Sequence, residues 1–176
     1  MTATATPATN VAVQSPKEQY LTVYEQEFQT TLKVLRAYPK DQLDLKPAPI
    51  LKTARELAWI FVIENGVSET LLLTGDLSKL TGAPPPPDTM DEIIGALEAT
   101  HAKVAQIVRD LPEEKLLETT RWLVGPKAMG DVPKIQFLWM MLMDSIHHRG
   151  QLTIYTRIAG GIVPSIYGPT YEEPWR

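Results

Sequence analysis

The chain contains no cysteine. That excludes disulfides, cysteine-ligated zinc, iron–sulfur clusters and a thiol nucleophile of its own. It has no excess of basic charge: 17 Lys and Arg stand against 21 Asp and Glu, a net charge of -4. No basic stripe is available to neutralise a nucleic-acid backbone. Long hydrophobic runs are missing too. The longest, Leu57 to Ile63 and Phe137 to Met143, fall far short of the ~20 residues of a spanning helix. No basic n-region of a signal peptide is present at the N-terminus, so a cytoplasmic location is expected. The first 14 residues carry no charged side chain and read as a disordered tail. Serine in a nucleophile elbow, a phosphate loop and a dinucleotide fingerprint are likewise missing.

What is present reads as one domain over residues 15–176, with 44% hydrophobic residues to build a core. Three helix starts are written in capping boxes: Ser15 with Glu18, Thr53 with Glu56, and Thr89 with Glu92. Apolar residues follow each at helical spacing. The first stripe is Tyr20, Tyr24, Phe28, Leu32, Leu35, ended by Pro39. The second, Leu57, Ile60, Phe61, Glu64, Val67, Ser68, Leu71, ends at Gly75. The third is Met90, Ile94, Leu97, His101, Val104, Val108, Leu111, before Pro112. Pro84 to Pro87 read as a stiff connector. Residues 119–132, with turn signals at Gly125-Pro126 and Gly130-Asp131, read as a loop or short hairpin. A fourth helix is expected from a first-turn Pro133, capped by Asp131, to about Ala159. Gly150 inside it predicts a close packing partner, since an interior glycine costs about 1 kcal/mol against alanine. The tail beyond Ile162 holds Pro164, Pro169, Pro174, Ile166, Tyr167, Tyr171 and Trp175, and is expected to lie on the helices without forming one. The architecture is all-α, a four-helix bundle.

Bundles build their sites from polar residues that interrupt apolar stripes. Asp144 and His148, at i and i+4, lie about 40° apart on one helix face, within reach of one ion. A carboxylate with an imidazole suits zinc, nickel or ferrous iron. The same pair also serves as a hydrogen-bonded couple in which Asp fixes the imidazole tautomer. Glu64 fits a third ligand or a partner for a cation such as Arg149, because buried carboxylates need one or the other. His101 fits a satisfied core histidine better than a ligand. His147 points about 100° from His148, and Arg149 fits a tie to a neighbouring helix.

The segment His147-His148-Arg149-Gly150-Gln151-Leu152, followed by Tyr155 and Arg157, resembles the last bundle helix of the DinB/YfiT-like family. Thr53-Ala54-Arg55-Glu56-Leu57-Ala58-Trp59 and Val163-Pro164-Ser165-Ile166-Tyr167-Gly168-Pro169 are similar to segments of the same family. The resemblance runs from about Pro16 to Tyr171. It implies a four-helix bundle, often a homodimer, with a divalent metal on three histidines. It also implies activities of the thiol-dependent transferase and isomerase kind. Residue by residue, His148 matches the final histidine, Asp144 stands at the first histidine of that pair, and Ile60 stands at the helix-two histidine. Glu64, one turn beyond Ile60 on the same face, is the candidate to substitute for that histidine, the cation-partner role staying open. The expectation is thus a DinB-like protein with an incomplete three-histidine site, acting as a metal-free binding or scaffold protein. The alternative is a metal-dependent thiol S-transferase, isomerase or hydrolase, with zinc, nickel or iron on Glu64, Asp144 and His148. A homodimer and a small-molecule or thiol ligand are the expected partners, without nucleic acid or membrane.

Overall fold

The structure, a computed structural model, describes residues 14–176; all but the last residue of the expected N-terminal tail lies outside the described residues. The fold is mostly helical. It runs α1 (Pro16–Ala37), α2 (Ala54–Thr74), α3 (Met90–Asp110), a short α4 (Glu113–Leu117), the hairpin β1 (Thr119–Gly125) and β2 (Ala128–Pro133), and α5 (Lys134–Ile158). The three capping boxes form as expected, each with reciprocal side-chain bonds. Gly75 ends α2 with φ of 67°, the left-handed cap that glycine adopts without strain.

Residues 119–133 form an antiparallel hairpin, so the chain is not purely helical, and α4 was not expected. Asp131 does not cap α5. It lies in β2 opposite Arg121, and α5 emerges directly from β2 at Pro133, which stands just outside the helix. The backbone N–H of Lys134 donates instead to the Glu118 carbonyl at 2.9 Å. The strand pairing thus replaces the side-chain cap.

α1 packs against α3 and α5, and α2 packs against the same two helices. Two apolar clusters fill the interior. One joins Leu32, Leu35, Leu57, Phe61, Ile93, Leu97 and Leu152. The other joins Tyr20, Leu71, Val104, Val108, Phe137, Leu138 and Leu142. Between them lies a polar layer drawn from the long helices: Thr31 of α1, Glu64 and Asn65 of α2, His101 of α3 and Arg149 of α5 are all buried. Among the described residues, α2 is the one helix long and apolar enough to cross a membrane. Half of that window is buried inside the protein, with Glu64, Asn65 and Ser68 turned inward.

The tail does lie on the helices. Lys33 Nζ donates to the Ser165 carbonyl, and Arg157 Nε donates to Glu172 at 2.9 Å. Tyr171, however, is 94% exposed.

The close approach expected at Gly150 occurs elsewhere. Gly150 has nothing near the position of a Cβ, whereas a Cβ on Gly161 would stand 2.8 Å from Pro39 Cδ and 2.8 Å from Thr156 Cγ2. Gly150→Ala is therefore expected to stabilise by about 1 kcal/mol, and Gly161→Ala to destabilise by about 1–3 kcal/mol. Urea midpoints of the two variants check this; loss of stability in Gly150→Ala would show that something covers that face.

Candidate metal centre

Glu64 stands in the middle of α2, and Asp144, Ser145 and His148 stand in the middle of α5. Because α2 and α5 are neighbours, the polar interruptions of their stripes meet. Glu64, Asp144 and His148 each offer one donor atom, and these atoms lie within 4.8 Å of one another. His148 Nε2 is 3.6 Å from Asp144 Oδ1 and 3.6 Å from Glu64 Oε1. Both separations are too long for hydrogen bonds, so Asp144 and His148 are not a hydrogen-bonded couple. They suit donors around one ion: bonds of about 2.1 Å at tetrahedral angles hold ligand atoms ~3.4 Å apart.

Glu64 is buried, and its Oε1 has no hydrogen-bond partner. Its other oxygen, Oε2, accepts from the Ser145 hydroxyl. Burial pushes the Glu64 carboxyl up to about 8; the Ser145 hydrogen bond opposes this, and the Asp144 charge adds to it. A buried acceptor without a partner is costly, and it faces the imidazole nitrogen. Orphaned oxygen, imidazole and exposed carboxylate together form a set that fits a divalent cation.

Gln151 orients the imidazole. Its amide Oε1 accepts from His148 Nδ1 at 3.3 Å, while its Nε2 donates to His147 Nε2 at 2.8 Å. With the proton on Nδ1, the lone pair of His148 Nε2 is directed at the two carboxylates. An outer-shell acceptor on the second ring nitrogen is what ligating histidines usually have.

The other singled-out residues are engaged elsewhere. His101 is sandwiched between the Tyr24 and Phe28 rings, at centroid distances of 4.3 and 3.6 Å, and its Nε2 pairs with Glu25 Oε2 at 2.9 Å. Burial lowers the His101 pKa against the raising effect of Glu25, as befits a core histidine. Arg149 is not the partner of Glu64. Its guanidinium donates to Glu27 Oε2 at 2.6 Å, to the Glu27 carbonyl at 3.0 Å, and to the Tyr167 hydroxyl. Ile60 packs with the apolar cluster and supplies no donor. A narrow cavity of about 30 Å³, lined in part by Tyr24, Asn65, His101, Ser145 and Arg149, lies within the polar layer. It has room for one or two waters. Ser145 and Gln151 had no role assigned from sequence. The signals were faint: Ser145 follows Asp144 directly, and Gln151 lies three and four residues beyond the two histidines.

A mostly helical fold with a carboxylate–carboxylate–imidazole triad between two neighbouring helices defines a candidate metalloprotein. The DinB family model matches residues 9–176, and the chain belongs to the DinB family. It is 27% identical over 161 residues to the uncharacterized protein YrdA of Bacillus subtilis (strain 168), covering 89% of this chain and 90% of that protein. The fold is similar to crystal structures of DinB-like proteins from Bacillus cereus ATCC 10987 and from Bacillus subtilis. The first has a TM-score of 0.68 and 24% identity, covering 85% of this chain and 97% of that one. The second has a TM-score of 0.66 and 20% identity, covering 88% and 99%. A conserved protein from Enterococcus faecalis is similar with a TM-score of 0.61 and 16% identity, covering 84% and 98%.

Proposed function

We propose that this DinB-family chain is a four-helix bundle that binds a divalent cation through Glu64, Asp144 and His148. The observation that carries it is the buried, partnerless Oε1 of Glu64, 3.6 Å from the imidazole nitrogen. When bound, the metal would act as a Lewis acid and lower the pKa of a coordinated water or thiol. The chain's own residues do the rest. Ser145 holds Oε2 of Glu64 so that Oε1 faces His148. Gln151 fixes the ring tautomer. Ile60 closes the family's helix-two position with an apolar wall and shifts the donor one turn along α2, to Glu64. A donor set of two oxygens and one nitrogen is harder than three histidines, which tilts selection towards the harder divalent ions, ferrous iron among the three tested below. Such a centre would supply the Lewis acid for the thiol-dependent transferase or isomerase activity that the resemblance implies, or for the alternative hydrolase activity.

Metal content per chain, measured after incubating tag-free protein with zinc, nickel or ferrous iron, tests the reading. Wild type is expected to retain close to one equivalent and His148→Ala none. Gln151→Leu is expected to bind about 10–100-fold more weakly. A metal-free scaffold is the second reading, favoured by Ile60. It gains if wild type and His148→Ala retain equally little of all three metals.

A further inference from the structure

Beside the triad, on the outer side of α5, lies a trough of about 430 Å³ lined by Trp122, Met140, Met141, Met143, Asp144 and His147. Asp144 belongs to both the trough and the triad. The three triad side chains are graded in exposure: Glu64 7%, His148 19% and Asp144 55%. Solvent, and any ligand, therefore reaches the triad from the Asp144 side, where the trough begins.

The trough walls have a definite chemistry. Three thioethers and an indole make it apolar and polarizable, and methionine side chains adapt to the shape of what they touch. Met143 is 63% exposed, on a helix whose neighbouring positions Met141 and Leu142 are buried. Trp122 reaches the trough from the hairpin and is held edge-on against Phe137, with centroids 4.9 Å apart. His147 is held by the Gln151 amide that also orients His148. Neither Lys nor Arg lines the trough, and its one carboxylate is Asp144. A ligand with an anionic body would meet repulsion and find no partner. A neutral aromatic body would find thioether and indole surfaces, both of which favour aromatic contact.

We propose that this trough is the organic-ligand subsite of the metal centre, and that it takes a neutral aromatic molecule whose metal-binding head group reaches past Asp144 to the triad. The proposal rests on the metal-binding reading above. It separates this chain from a protein built for small, highly charged thiols, because the wall next to the triad has no cation to meet their carboxylates.

The test is calorimetric titration of the zinc-loaded full chain with two hydroxamates that share one metal-chelating head. Benzohydroxamate carries a neutral ring and acetohydroxamate a methyl group. Benzohydroxamate is expected to bind about tenfold or more tightly than acetohydroxamate. In Met143→Ser, and more fully in Met143→Ser with Trp122→Ala, that preference is expected to fall below about threefold, with acetohydroxamate affinity unchanged. Met143 is exposed, so its variant is expected to fold normally. Equal affinity of the two hydroxamates for wild type overturns the subsite but leaves the metal centre standing. Zinc that is not retained, with neither hydroxamate binding, overturns the metal reading and the subsite with it. Benzohydroxamate affinity that falls as protein concentration rises overturns the proposal in favour of a second copy of the chain seated in the trough.

Discussion

Replacing Arg149 by methionine is expected to lower stability by about 3–5 kcal/mol, read as a fall in the urea midpoint without loss of cooperativity. Arg149 is 1% exposed, and its main partner, the Glu27 side chain, is mostly buried as well. The substitution leaves the mostly buried Glu27 without its counter-ion. It also strips the Tyr167 hydroxyl of its cation, although that hydroxyl still donates to Glu27 at 2.6 Å. Removing both charges is the control. The double substitution of Arg149→Met with Glu27→Leu is expected to recover most of the loss, because apolar side chains of similar volume tolerate burial without compensation. A double variant that loses as much as the two single losses added together would show that the pair contributes through packing rather than charge.

Metal-free protein is expected to lose stability as the pH rises through the range from about 4.5 to about 8, and Glu64→Gln is expected to remove that loss. Burial, reinforced by the Asp144 charge, pushes the Glu64 carboxyl up to about 8 from an ordinary 4.5. Between those values the folded chain keeps a proton that the unfolded chain has released, so raising the pH draws the equilibrium towards the unfolded state. The contribution is complete below the unfolded value and is gone above the folded one. One such proton changes the stability by about 1.4 kcal/mol per pH unit. The measurement is the difference between the wild-type and Glu64→Gln unfolding free energies at several pH values with a chelator present, which cancels the other titrating groups. Glutamine keeps the acceptor for Ser145 and carries no charge to desolvate, so the difference should grow in the variant's favour up to pH 8. A difference that stays constant across that range would mean Glu64 titrates as an ordinary carboxylate. Adding zinc at pH 8 should then raise the wild-type midpoint alone, since a cation stabilises only the state that binds it.

The parts of this fold legible in the sequence were those decided within a few residues. Ser15, Thr53 and Thr89 each announce a helix because the cap and its glutamate lie three positions apart. Gly75 ends α2 by its own backbone freedom. Asp131 looked like a cap for the same local reason, and here pairing across the hairpin, with Arg121 opposite, decided otherwise. Gly150 and Gly161 were interchangeable by composition; only the approach of Pro39, from more than a hundred residues away, distinguishes them. In the candidate site, Glu64, Asp144 and His148 stood out because each interrupts an apolar stripe. Ser145 and Gln151 did not, since hydroxyl and amide side chains are unremarkable on a helix until a carboxylate or imidazole is brought beside them. Glu27, off the apolar stripe of α1, carried no sign that it would be the counter-ion of Arg149.

The contact of Arg149 with Glu27 and Tyr167 bears on how the chain is made. Glu27 lies 122 residues before Arg149 and Tyr167 lies 18 after it. N-terminal segments can begin to fold while synthesis continues. Yet α1 reaches the ribosome exit long before its counter-charge exists, and the layer it shares with α5 cannot close until Arg149 and Tyr167 have emerged. Early helices must therefore wait with an apolar face uncovered, and assembly is deferred until α5 has been made. A chain cut short just before Arg149 would keep three capped long helices and still lack the means to neutralise the charge at their centre.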